Sequence, residues 1–257
     1  QAVEVFQRNG YKIPQFHGKW PFYSTFWAQE PASTIFSILN LLSVIEMRRR
    51  MVAIVRLEEM NGESQEMVRV WKMYANVGIV TWICSSWFHS SDHYWSERAD
   101  YFSAFAFVLF ALYAAMLFRF PILRRGRLSY GLVVIFIYLT YLKSHLSADH
   151  TYNLKYNMMV CISSSIVTLI VYLSYLINRY RQFGTVSSLR RSDRLLLMLL
   201  TWTIASVALE LLDFVPLWFT IDAHSLFHAA TVPLPLITAT FIETHARESG
   251  ADYAKIV

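Results

Sequence analysis

The sequence predicts an all-α integral membrane protein, a bundle of seven transmembrane helices, and three observations carry that prediction. Of 257 residues, 55% are hydrophobic and only 16% charged, a balance typical of membrane proteins. The apolar residues fall into seven runs, most of them long enough to cross roughly 30 Å of hydrocarbon, which takes about 20 helical residues. Basic residues gather in the short stretches between those runs and are divided unevenly between the two sides.

The runs cover residues 33–47, 71–89, 100–118, 129–146, 156–177, 195–214 and 223–244. Only helices and closed barrels satisfy the backbone in lipid, and runs of this length are helices. The first is short for a span, so its start is open as far back as Phe22. Pro233 and Pro235 are expected to kink the seventh. No internal repeat, low-complexity tract or linker divides the chain, so residues 1–257 are read as one domain, with 1–30 as a lumenal N-terminal segment.

Orientation follows from the basic residues. The stretches after spans one, three and five, with the C-terminal tail, hold 17 of the 23 Lys and Arg, and the opposite side holds 6. The positive-inside rule then puts the C-terminus in the cytosol and the N-terminus in a lumen. The net charge of +5 is thereby accounted for by the anionic membrane face, which argues against a nucleic-acid partner. Cys84 and Cys161 both lie in apolar runs and offer no disulfide framework. Trp20, Trp27, Trp87 and Trp95 fit interfacial belts. The stretch "RRRMVAIVRLEEMNGESQEMVR" reads as a positive-inside anchor with an amphipathic surface helix, or as a docking loop for a cytosolic partner. Gln1 in place of an initiator methionine, with no signal peptide, is expected of a processed product.

Polar residues inside spans mark function by default. In "WICSSWFHSSD" Ser85 and His89 stand four apart at the lumenal end of span two, on one helical face. In "ERADYFSA" Asp100 is expected in the first turn of span three. In "IDAHSLFHAATVPL" His224 and His228 share a face at the start of span seven. All five groups are expected at one depth on one side. Three neutral imidazoles from two helices make a three-ligand zinc site with one position open, the arrangement of a catalytic zinc. Zinc lowers the pKa of its water and polarises a carbonyl; Asp100 would take the proton, and Ser85 would bind the oxyanion or the hydroxide. The chemistry expected is hydrolysis of an ester or amide. Each residue also has a bland reading: interfacial histidines as hydrogen-bonding groups, Asp100 as a helix cap, Ser85 bonded back to its own helix.

Other polar groups are assigned less. Glu210 and Asp213 are read as structural groups or as partners of the metal ligands. His145, Asp149 and His150 are placed in a solvated lumenal loop, Asp92 and His93 at a loop tip, and His17 and His245 on the surface.

The segments "GKWPF", "QEPASTIFSILN", "SSWFHSSDHYWSERADYFSA", "YNMM" and "ELLDFVPLWFTIDAHSLFH" resemble the GPI-anchor lipid-remodelling (Per1-like) family, within the CREST superfamily of membrane hydrolases. The resemblance runs from about residue 18 to 244. It implies a seven-helix fold related to alkaline ceramidases and adiponectin receptors, with a serine, an aspartate and three zinc-binding histidines that fall on Ser85, Asp100, His89, His224 and His228. It also implies phospholipase A2-type removal of the sn-2 acyl chain from GPI-anchored proteins, in the endoplasmic reticulum membrane or the Golgi membrane, with the active site on the lumenal side. Where "YNLK" has Asn153, relatives are expected to carry an acidic residue. Relatives among the ceramidases bind calcium near the first helix, for which Glu30 and Asn40 are a thin match. Two alternatives stay open: a ceramidase-type amidase, and a non-catalytic receptor or scaffold with a structural zinc.

Overall fold

In the computed structural model, residues 8–9, 14–15, 20–55, 62–146, 154–185, 189–212 and 214–253 are described. Their regular elements are all helices, and among the described residues the only β pairing is an isolated bridge between Leu217 and Ile221. The helices are α1 (Pro31–Val55), α2 (Gly62–Ser90), α3 (Tyr94–Arg119), the short α4 (Pro121–Arg125), α5 (Arg127–Leu146), α6 (Leu154–Phe183), α7 (Arg191–Glu210), α8 (Ala223–Thr231) and α9 (Leu234–Tyr253). Five columns are long and apolar enough to cross a membrane: α3, α5, α6, α7 and the α8–α9 pair. With 25 and 29 residues, α1 and α2 are as long but less apolar.

The distribution of polarity explains why. Along α1 the buried face carries Ser33, Thr34, Ser37, Asn40 and Ser43, whereas Ile35, Ile38, Leu39, Leu42 and Ile45 face outward. On α5 and α6, Leu132, Phe136, Leu139, Met159, Ile166 and Ile170 are likewise exposed. Water penalises such a surface, and hydrocarbon does not. Association in lipid then depends on close packing and interhelical hydrogen bonds. Gly78 on α2 illustrates the packing, since a Cβ there would lie 2.8 Å from the Phe107 ring of α3 and 3.1 Å from Val44 of α1.

The main apolar cluster reaches His228 through Trp82 and centres on Met47, Met51, Leu117, Leu196 and Phe241. There, Arg50 of α1 forms a fork-like ion pair with Glu243 of α9, its Nε donating to Oε1 at 2.7 Å. Ser192 donates to Glu248 at 2.5 Å and ties α7 to α9.

Pro233 and Pro235 do more than kink the last column. Neither has an N–H, so helix α8 stops at Thr231 and α9 restarts at Leu234. The carbonyls freed near the break are satisfied from neighbouring helices. Asn40 Nδ2 donates to His228 O at 2.7 Å, Ser43 Oγ to Val232 O at 2.6 Å, and Trp202 Nε1 to Ala230 O at 2.8 Å. The polar stripe of α1 and the broken helix are therefore complementary parts of one interface.

Several expectations are corrected. The first span does not reach back to Phe22, because residues 20–30 are non-helical and Pro31 opens α1, where its missing N–H costs nothing. Arg48, Arg49 and Arg50 lie inside α1 rather than in a loop after it. Span six ends at Glu210, four residues early, and 214–222 form an irregular turn in which Trp218 and Phe219 adopt φ values of 51° and 55°. His145 is not in a solvated loop: it closes α5, is buried, and packs on Tyr141 and Tyr156. His245 is half-buried in α9 against Phe118 and Phe241 rather than on the surface. Asp149, His150, His17, Asn153 and Asp213 lie outside the described residues.

Asn40→Ala removes the side-chain donor to the His228 carbonyl in a setting where no water substitutes for it. The variant is expected to lose about 1 kcal/mol of stability, read as a lower thermal midpoint of the detergent-solubilised protein.

Candidate metal centre

The site is built where three helix ends meet. Asp222 caps α8: its Oδ1 accepts from Ser225 N at 2.8 Å, while Ser225 Oγ accepts from Asp222 N at 2.9 Å. This reciprocal cap fixes the first turn, setting His224 at the second helical position and His228 one turn on. At the C-terminus of α2, the carbonyls of His89 and Ser90 accept from the backbone N–H groups of Glu30 (3.0 Å) and Gln29 (3.2 Å). The segment leading into α1 thus closes α2, and the same contact brings the Glu30 side chain to His89.

The three predicted histidines converge. Ring centroids of His89 and His224 lie 5.2 Å apart, those of His89 and His228 5.0 Å, and those of His224 and His228 4.4 Å. One ring nitrogen from each falls within 4.8 Å of the others, so the set can hold a metal ion. The Nε2 atoms of His89 and His224 face each other at 3.4 Å.

Every Nδ1 is already engaged. That of His89 meets Glu30 Oε2 at 2.7 Å, that of His224 meets Glu210 at 2.8 and 3.0 Å, and that of His228 meets Ser37 Oγ at 2.9 Å. An ionised carboxylate only accepts, so His89 and His224 donate from Nδ1, and in the neutral ring the lone pair is then on Nε2. The third tautomer follows from a longer chain. Ser85 Oγ lies 3.1 Å from Ser37 Oγ, with the buried Asp100 beside it. With Ser37 donating to Ser85, whose own proton stays available, His228 Nδ1 donates to Ser37. One ring nitrogen from each neutral histidine is then left for a cation in one small region. Imidazole ligands held through the second nitrogen by carboxylates are the usual surroundings of a bound metal.

Access is one-sided. His89, Ser85, His228 and Asp100 are 2%, 3%, 4% and 8% exposed, whereas the side chains of His224 and Glu210 are 37% and 26% exposed. The opening therefore lies beside the turn between α7 and α8.

All five sequence-predicted residues are thus in one connected cluster. One detail differs: α3 begins at Tyr94, capped at His93, so Asp100 sits in the second turn, is buried and is not a helix cap. Glu30 contacts His89 and Asn40 Nδ2 donates to the His228 carbonyl, so both residues belong to the histidine cluster. Ser37 and Asp222 went unnoticed in the sequence. A signal existed for the first: Glu30, Ser33, Ser37 and Asn40 recur at helical spacing within an apolar run. Cys84 and Cys161 are half-buried free thiols, as expected without a disulfide framework.

These features define a class, a helical membrane protein whose interior gathers three imidazoles able to hold a metal ion. The chain belongs to the Per1-like family, whose model matches residues 1–246. It is 32% identical to a mouse (Mus musculus) protein named GPI-specific phospholipase A2-like PGAP3, over 97% of this chain and 75% of that one. A hamster (Cricetulus griseus) protein of the same name is 31% identical over 94% of this chain and 71% of its own. Post-GPI attachment to proteins factor 3 of Drosophila melanogaster is 32% identical over 91% and 68%. No solved structure matches.

Glu30→Gln and Glu210→Gln each replace an obligate acceptor with an amide. Each is expected to weaken binding of a divalent metal by about 10–100-fold, measured by competition with a chelator of known affinity; an unchanged affinity would mean the carboxylates do not orient the imidazoles.

Proposed function

We propose that this protein is a zinc-dependent hydrolase that removes the sn-2 acyl chain from the lipid of GPI-anchored proteins, acting from the lumenal side of the endoplasmic reticulum membrane or the Golgi membrane. The single observation that carries the hydrolase reading is the set of three converging imidazoles, each with its Nδ1 held by a side-chain partner. The names of the relatives support the GPI lipid as substrate, and the 17 to 6 division of basic residues supports the lumenal position of the site.

Zinc fits the residues present. The edge of a tetrahedron with zinc–nitrogen bonds of about 2.0–2.1 Å is roughly 3.3–3.4 Å, and the His89 and His224 Nε2 atoms stand 3.4 Å apart. Three neutral nitrogen donors suit zinc better than calcium or magnesium, which prefer oxygen. When bound, zinc supplies Lewis acidity toward the ester carbonyl and lowers the pKa of an attacking water.

The chain's own residues supply the rest. Asp100, buried beside the histidines, takes the proton from the attacking water and returns it to the departing glycerol oxygen, so that ester and water become a fatty acid and a lysolipid. Ser85 hydrogen-bonds the oxyanion that forms at the carbonyl. Glu30, Glu210 and Ser37 keep the three rings in register. The exposed edge of His224 faces the opening, so an acyl ester enters past Leu211, Leu212, Leu217 and Trp218, all exposed on the adjoining turn. That apolar rim suits a lipid substrate and does not distinguish an ester from a sphingolipid amide; the relatives' names favour the ester.

His224→Ala in the full-length protein is expected to abolish release of fatty acid from a GPI lipid while the protein stays in the membrane. Full activity of that variant would refute the metal role. Asp100→Asn keeps the shape and hydrogen-bonding capacity but not the basicity, and is expected to lower kcat by about 100-fold or more with metal content retained. Loss of metal instead would assign Asp100 to holding His228 rather than to proton transfer.

A further inference from the structure

We propose that the end of the bundle opposite the histidines carries a second binding site, specific for the phosphate headgroup of an anionic phospholipid. Arg119 closes α3, nineteen residues after Asp100, which separates the two regions by roughly 28 Å along the helix axis. Around it is a cleft of about 350 Å³ whose walls include Arg119, Arg124, Arg179, Asn178 and Gln182. Three guanidiniums from three helices, α3, α4 and α6, line this cleft together with two amides. No acidic residue lines it.

These arginines differ from the solvated basic residues expected near a membrane surface. Arg119, Arg124 and Arg179 are half-buried, whereas Arg125 on α4 and Arg181 on α6 are exposed. Each of the three is also anchored by a hydrogen bond that sets its direction. Arg119 Nε donates to Ser174 Oγ at 3.0 Å, Arg124 Nε to the Leu117 carbonyl at 2.9 Å, and Arg179 Nε to Asp193 Oδ2 at 3.2 Å. Asp193 is the nearest acidic group on Arg179, and it also accepts from Tyr175 at 3.0 Å and from Arg190 N at 3.3 Å. Like charges held this way raise the local potential, and a phosphate ester neutralises it with charge-assisted hydrogen bonds. The cleft shares Phe118, Arg124 and His245 with a second cavity of about 170 Å³ whose walls include Trp71, Phe241 and Ile242. A cationic mouth beside a recess with apolar walls at Trp71, Phe118, Phe241 and Ile242 and polar ones at Arg124, His245 and Ser249 matches an amphiphile better than a free anion. Basic clefts between helices at the cytosolic end are established recognition sites for anionic headgroups, and the asymmetry of the basic residues puts this end there.

The full-length protein in phosphatidylcholine nanodiscs is titrated with short-chain phosphatidic acid, short-chain phosphatidylcholine and inorganic phosphate. Bound ligand is read by native mass spectrometry and by the thermal midpoint. Phosphatidic acid is expected to bind and phosphatidylcholine not to. Arg119→Gln/Arg124→Gln is expected to weaken phosphatidic acid binding by about tenfold or more. Arg125→Gln/Arg181→Gln, an equal change of net charge on exposed neighbours, is expected to stay within about twofold. Because Arg124 also caps α3, Arg119→Gln alone is measured beside the pair and is expected to weaken binding several-fold at an unchanged unliganded midpoint. Competition by inorganic phosphate at comparable concentration would make the phosphate alone sufficient as ligand; no competition would make the lipid the ligand, and either keeps the site. Equal loss in the exposed pair, equal binding of phosphatidylcholine, or no effect of Arg119→Gln would overturn it.

Discussion

Three imidazoles converge so that one ring nitrogen of each lies within 4.8 Å of the others, and the rest of the structure holds that geometry. Glu30 and Glu210 accept directly from His89 and His224, while Ser37, with Ser85 behind it, holds His228 Nδ1. Two rings therefore end on a carboxylate and the third on a pair of hydroxyls. In a medium without water an unpaired polar group costs more than in solution. Holding each Nδ1 on a side-chain partner satisfies that nitrogen and fixes the ring.

The first helix connects this cluster to the scaffold. Glu30 at its entrance orients His89 while the same residue's N–H closes α2. One turn in from there begins the buried stripe in which Ser37 meets His228, and Asn40 and Ser43 satisfy carbonyls at the α8–α9 break. The break itself, imposed by Pro233 and Pro235, limits α8 to nine residues, and the Asp222–Ser225 cap fixes its start. The histidine pair is thus carried on a short helix defined at both ends. Beyond the break, α9 anchors through Glu243 and Glu248, so the two halves of this column have separate duties.

Much of this was legible in the sequence, for physical reasons. Long apolar runs give helices in lipid, and all seven predicted runs fall on helices or, for the last, on a helix pair. The i, i+4 spacing put His224 beside His228, and agreement in depth along the predicted spans brought in Ser85, His89 and Asp100. What was less legible depends on how helices pack. Ser37 is an ordinary small polar residue until α8 is laid against it, and Glu30 resembled a calcium ligand because its partner is 59 residues away. Helix ends were misjudged where charge and apolarity trade off: α1 runs past Arg48, Arg49 and Arg50 because Arg50 finds Glu243, and α7 stops at Glu210, whose carboxylate meets His224. His145 and His245 looked solvent-facing because polarity in sequence says nothing of aromatic neighbours supplied by other helices.

The membrane setting also turns the usual logic of burial around. Here many apolar side chains face outward, and the interior combines apolar clusters with a stripe of buried polar residues around the histidines. The proposed chemistry needs that polar interior, with one wall opened at His224 toward lipid. Elemental analysis of the purified full-length protein tests the central claim most directly. The account predicts one zinc per chain in the wild type and loss of it when His89, His224 and His228 are replaced together. A folded wild type that neither retains nor takes up zinc, or a triple variant that keeps it, would contradict the account.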